Sequence, residues 1–201
     1  MGKGVLDFLK GKPKGKFLDL LKARKSTYEF TGRDLSNGDL RTILETGRWS
    51  PSFLNLQPWQ FVVVKNKETI QQLLESAHYG LYDFKANNSI PPVAIALVLK
   101  KKYWEGEFGF PLTDKQGVFE AYMSLAMPAM NMMLQAQELG ISSAMLNVRE
   151  SVSHRLVRLE DGDQVPVIVC LGYEKPGAKV RRRERKELEE IICAEYCIQK
   201  K

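Results

Sequence analysis

Apolar residues recur at helical spacing in Phe17, Leu18, Leu20 and Leu21, and again in Leu40, Ile43 and Leu44. Ser36 reads as the N-cap of the second stretch, with Asp39 at its third helical position, and that helix ends near Arg48. Beyond a loop from Ser50 to Pro58, the run Phe61-Val62-Val63-Val64 is rich in β-branched residues, which crowd helical turns and suit a pleated sheet, so it reads as a buried strand. Ile70, Leu73, Leu74 and Ala77 mark an amphipathic helix over Lys67–Ala77. Val93 to Leu99, entered from Pro91-Pro92, is a second apolar strand, and Lys100 to Gly117 reads as a loop. Ala144–Val148 and Val165–Leu171 are further strands, separated by a helix over Glu150–Leu159.

Val118 to Leu139 breaks the amphipathic pattern. Fifteen of its 22 residues are apolar and they cover the whole circumference, which predicts a helix buried on all sides. Its methionines Met123, Met127, Met130, Met132 and Met133 are adaptable packers suited to an intersubunit contact as well as a core. Pro128 is expected to kink it and Gly140 to end it. Helices and strands alternate without a regular βα period, so the fold class is α+β, with a mixed or antiparallel central sheet surrounded by helices. The expected organisation is a flexible basic head over residues 1–16 and a single domain over residues 17–201.

The 201 residues suffice for one ordinary domain, and 44% apolar with 27% charged residues excludes wholesale disorder. A net charge of +6 admits nucleic acid, an anionic surface or a phosphorylated ligand. Its distribution narrows the choice: residues 1–16 contribute +4, residues 175–186 contribute +6, and the rest of the chain nets −4. No helix-turn-helix pattern, zinc finger or aromatic RNA-binding signature accompanies the basic segments, which disfavours nucleic acid. Three cysteines, Cys170, Cys193 and Cys197, cannot all pair within one chain and read as reduced thiols of a cytoplasmic protein. No apolar run has the length of a membrane span.

Side chains for conventional catalysis are scarce. His78 and His154 stand in no motif, and no nucleophile elbow, phosphate-binding loop or dinucleotide fingerprint occurs. An enzyme of this composition would rely on a bound cofactor. Arg24-Lys25-Ser26 offers two cations and a hydroxyl that could grip a phosphate, or could simply be a solvated helix end. In Ser50 to Trp59, the polar side chains of Ser52, Asn55 and Gln57 sit between two stiffening prolines. They suit the edge of a flat heterocycle, or equally a hydrogen-bonded structural turn. The segment from Lys175 to Lys186 is either a solvated charge run, a nucleic-acid patch or a source of arginines that fold onto a phosphate.

Together these segments resemble the nitroreductase family of FMN-dependent oxidoreductases from about Phe17 to Ile192. Arg24-Lys25-Ser26-Thr27-Tyr28 is similar to the family's opening basic segment, and Pro51 to Trp59 to its Pro-Ser-x-x-Asn-x-Gln-Pro-Trp motif. The apolar helix before Leu139-Gly140-Ile141 and the segment Arg183 to Glu190 agree in order with the rest. The resemblance implies a homodimer with its long central helix at the interface and two FMN sites formed between subunits. It implies that Arg24, Lys25, Ser26 and Tyr28 hold FMN, with Arg183 and Arg185 near the phosphate and Pro51, Ser52, Asn55 and Gln57 reaching in from the other subunit. Leu146 and Asn147 fall where the family aims a backbone N–H at flavin N5.

Two departures stand out. Tyr28 replaces the third basic residue of the first motif, and the family's glycine or glutamate near Asn147 is absent. Trp104, Phe108 and Phe110 could line a substrate pocket. The implied activity is transfer of hydride from NADH or NADPH, through FMN, to a small nitroaromatic or quinone acceptor. Reductive dehalogenation on the same scaffold, or a non-catalytic scaffold that binds nucleic acid or acidic partners through its basic termini, are the alternatives.

Overall fold

The computed structural model describes residues 14–77, 89–104, 114–179 and 184–192, with no side-chain description for Trp104 or residues 114–118. Four strands, β1 (Trp59–Val64), β2 (Val93–Leu99), β3 (Ser142–Asn147) and β4 (Gln164–Gly172), form one sheet in the order β1-β2-β4-β3. Every pairing within it is antiparallel. Among the described residues, a parallel contact enters only as an isolated bridge between Ser26 and Ser143.

Strand β2 is buried at every position because it lies between two neighbours and is covered on both faces of the sheet. Ile95, Leu97 and Leu99 pack with α2 (Asn37–Arg48) and the long α5 (Asp114–Glu138). The alternate residues Ala94, Ala96 and Val98 pack with Ile70, Leu73 and Leu74 of α3 (Lys67–Glu75) and with Phe30. This two-residue alternation makes a helix–sheet–helix sandwich. The reading of β1 as a buried strand needs correction: it is a sheet edge, where only Val64 is buried and Val63 is exposed.

Ser36 caps α2 as its sequence suggests, its hydroxyl accepting from the Asp39 N–H at 3.0 Å. Helix α5 runs unbroken through Pro128. Its end has the Schellman pattern: Gly140 adopts φ +71°, the Ile141 N–H donates to the Ala136 carbonyl at 2.8 Å, and the Gly140 N–H donates to Gln137 at 3.2 Å.

Burial of α5 on all sides does not hold within one chain. Ala121, Leu125, Ala129, Met132, Met133 and Ala136 are buried against the sheet and α2, whereas Phe119, Tyr122, Met123, Met127 and Met130 are exposed. The apolar circumference therefore serves two different faces. Lys100–Gly117 is likewise not a loop throughout, because α4 (Lys101–Trp104) and the first turn of α5 occupy its ends. Among the described residues, no helix is long and apolar enough to cross a membrane.

The remaining helices are α1 (Lys16–Ala23), which contacts α5, α6 (Glu150–Val157) beside β4, and α7 (Leu188–Ile191). His154 closes α6 with its Nε2 3.2 Å from the Glu160 carbonyl oxygen. His78, Cys193 and Cys197 lie outside the described residues.

Candidate functional site

The loop before β1 is held in an uncommon backbone conformation. Leu54, Asn55 and Gln57 all have positive φ, at 46°, 57° and 48°. The Ser52 hydroxyl accepts from the Gln57 N–H at 2.9 Å, and the Gln57 amide donates to the Asn55 side chain at 3.3 Å. Two polar residues of the methionine-rich α5 fix the loop from below: the Phe53 N–H donates to Ser124 Oγ at 3.0 Å, and Asn131 donates to Ser50 Oγ at 2.8 Å. Pro51, Asn55 and Gln57 remain exposed. An apolar groove of about 210 Å³ runs beneath, lined by Pro51, Phe53, Met123 and Met127 among others.

The basic segment leaves α1 at Arg24 and is laid along the sheet. Ser26 bridges Ser143 at the start of β3, and the Thr27 N–H donates to the Ser143 carbonyl at 2.9 Å. Further along, the Thr31 N–H donates to the Tyr173 carbonyl at 2.7 Å and the Lys175 N–H to the Glu29 carbonyl at 2.9 Å. Phe30 is wholly buried below Gly172, where a Cβ would stand 2.8 Å from the Phe30 ring. Only glycine leaves that ring its place.

Within this segment Lys25 is committed to an ion pair. Its Nζ lies 2.5 Å from Glu174 Oε1, and the buried Thr27 hydroxyl donates to Glu174 Oε2 at 2.6 Å. Burial alone would raise the Glu174 pKa, but the hydrogen bonds from Lys25 and Thr27 outweigh it and hold the carboxyl below its ordinary range. Glu174 was invisible to motif reading because it stands 149 residues from its lysine. Arg24 is half-buried, Ser26 is exposed, and Tyr28 is half-buried against the core between the sheet and α3.

Leu146 and Asn147 end β3, at the sheet edge opposite β1, with the Asn147 amide donating to the Pro166 carbonyl at 3.3 Å. A second, polar pocket of about 220 Å³ opens there, lined by Asn147, Glu150 and Gln164 together with Tyr122, whose hydroxyl donates to Gln164 Oε1. Arg185 is exposed and donates to the adjacent Glu184 carbonyl at 3.2 Å. Arg183, Phe108 and Phe110 lie outside the described residues, and Trp104 closes α4.

The candidate residues thus fall into two groups. Arg24, Lys25, Ser26, Leu146 and Asn147 flank β3, whereas Pro51, Ser52, Asn55 and Gln57 precede β1 on the opposite edge. Three strand spacings, roughly 14 Å, separate those edges. Ser124 and Asn131, which anchor the second group, carry a readable trace in the sequence: they are polar exceptions in a methionine-rich helix.

The Nitroreductase family profile matches residues 21–173, well over half the chain. A Staphylococcus epidermidis protein assigned as an NAD(P)H nitroreductase is 31% identical to it, the alignment covering 83% of this chain and 93% of that one. Among solved structures, a nitroreductase family protein of Clostridium difficile superposes with a TM-score of 0.74 at 26% identity, covering 91% of this chain and all of the other. A Bacteroides fragilis nitroreductase with bound FMN has the same fold, with a TM-score of 0.68 at 23% identity over 90% of this chain and 100% of its own. The family profile and the relatives agree, and the chain belongs to the nitroreductase family.

Proposed function

We propose that the chain is a homodimeric, FMN-dependent oxidoreductase that uses NADH or NADPH to reduce a small acceptor such as a nitroaromatic or a quinone. The observation that carries this reading is the division of the candidate residues between opposite sheet edges, with the exposed apolar face of α5 beside them. A second copy packed on that face would bring its Pro51–Gln57 loop to the first copy's Arg24–Asn147 edge. The residues at hand fit FMN in kind: a basic segment beside a hydroxyl for the phosphate, an apolar groove for the ring faces, and exposed Asn55 and Gln57 for the heterocycle edge. In this reading residues 17–201 act as one FMN-binding domain, and residues 1–16 are an appended basic head.

Bound FMN would supply the redox chemistry, accepting hydride at N5 and passing it on. Around it, the chain's own groups would orient and stabilise rather than exchange protons. A backbone N–H at the Leu146–Asn147 end of β3 would donate toward N5, where negative charge grows. Arg24 and Ser26 would fix the phosphate, joined by Arg183 and Arg185. Tyr28, packed against the core between the sheet and α3, covers the segment without restoring the cation that other family members place at this position.

The visible spectrum of the purified chain tests the proposal. A bound-flavin absorption that bleaches under anaerobic NADH or NADPH and returns on adding a quinone is expected. A colourless chain that takes up no added FMN overturns it.

A further inference from the structure

We propose that Glu174 is a positioning residue for the phosphate-binding segment, and that Lys25 serves it as a clamp instead of contacting the phosphate. The inference rests on the FMN reading above. Residues 25–28 are extended along the sheet, so their side chains alternate between two sides. Lys25 and Thr27 fall on one side and both reach Glu174, at 2.5 and 2.6 Å. Alternation then turns Ser26 to the other side and leaves Arg24 as the cation next to it. One carboxylate with both oxygens engaged thus fixes which pair faces a ligand.

The surroundings make that fixing firm. The segment is stitched to the sheet at Ser26 and Thr27 by Ser143, and again beyond them by the exchange between Glu29, Thr31, Tyr173 and Lys175. Lys25 and Glu174 side chains are 30% and 25% exposed, so their attraction is less screened than that of a surface pair. A lysine turned toward phosphate would have to leave the half-buried Glu174 without its cation, which is costly. The adjacent positive charges of Arg24 and Lys25 therefore have different work: one faces a ligand, the other sets its direction.

Equilibrium quenching of flavin fluorescence by the apo full-length chain, with FMN and riboflavin as probes, separates the two roles. Circular dichroism checks that each variant is folded. Lys25→Met and Glu174→Gln are each expected to lower the preference for FMN over riboflavin by about tenfold, with the double variant no worse than either single one. The charge-exchanged variant Lys25→Glu/Glu174→Lys is expected to recover most of it. If Glu174→Gln leaves or raises FMN affinity while Lys25→Met lowers it, Lys25 is itself a phosphate contact and the proposal fails. It fails also if both variants lower the unfolding midpoint but leave the FMN-to-riboflavin ratio unchanged. A wild-type chain that binds neither flavin overturns the FMN reading and this proposal with it, whereas the two failures above leave that reading intact.

Discussion

Gly47 of α2 lies directly over Met132 of α5: a Cβ added at Gly47 would stand 2.2 Å from the Met132 methyl carbon and 3.1 Å from its Cγ. Both residues are buried, and the pair sets how closely the two helices approach. Gly47→Ala gains helix propensity of about 1 kcal/mol but must displace a fully buried side chain, an overpacking cost of roughly 1–3 kcal/mol. The net expectation is destabilisation by about 1 kcal/mol. In a Met132→Ala background the clash is gone, and the same substitution should stabilise by a similar amount. Chemical denaturation of the four chains closes the cycle.

Lys100 is clasped between Glu160, 2.8 Å away, and the buried Asp163, which also accepts from the Lys101 N–H at 2.9 Å. The hydrogen bonds that Lys100 donates to Asp163 and Glu160 raise its pKa against the opposing effect of burial. Asp163→Ala leaves a mostly buried cation and backbone donor short of their partner, at a cost of about 2–3 kcal/mol near neutral pH. Because the folded pKa is raised, the clasp contributes fully below the lysine's unfolded pKa and fades as pH rises through the folded one. The difference in unfolding free energy between wild type and variant should shrink at strongly alkaline pH.

The exposed side of α5 makes a prediction about assembly. Met127, 42% exposed at the floor of the apolar groove, would be covered in the proposed homodimer. Met127→Glu buries an unpaired charge only if a second chain arrives, so it should leave folding intact and produce a monomer by sedimentation. That monomer should also lose its flavin, since each site would lack the partner's loop.

Cys170 is wholly buried in β4, and burial pushes its thiol up to about 12. The thiolate is the reactive form, so native protein should resist alkylation at this position at neutral pH. Iodoacetamide labelling followed by peptide mapping is expected to modify Cys170 only once the chain is unfolded.

Local rules carried much of the fold. Ser36 and Asp39 announced the start of α2, and the β-branched runs announced β1, β2 and β4, because caps and periodicity depend on neighbours in sequence. What they could not convey was which strand stands at an edge: Phe61–Val64 looks as apolar as β2 but has a partner on one side. The circumference of α5 misled for a related reason, since apolar positions do not say which chain covers them. In the candidate site, the motif from Pro51 to Trp59 was legible as a unit. The division of Arg24 from Lys25 was not, because it depends on Glu174 at the far end of the chain.

Left-handed backbone at Leu54, Asn55 and Gln57 is disfavoured for side-chain-bearing residues by roughly 1–2 kcal/mol each, least at Asn. The bonds within the loop, between Ser52, Asn55 and Gln57, do not secure that shape alone; Ser124 and Asn131 anchor it from α5. The nine residues from Pro51 to Trp59 are therefore not portable. Grafted onto another scaffold without a helix bearing a serine and an asparagine one turn pair apart beneath them, they would relax to ordinary backbone and lose the presentation of Asn55 and Gln57. An engineer transplanting this loop would have to carry its floor along.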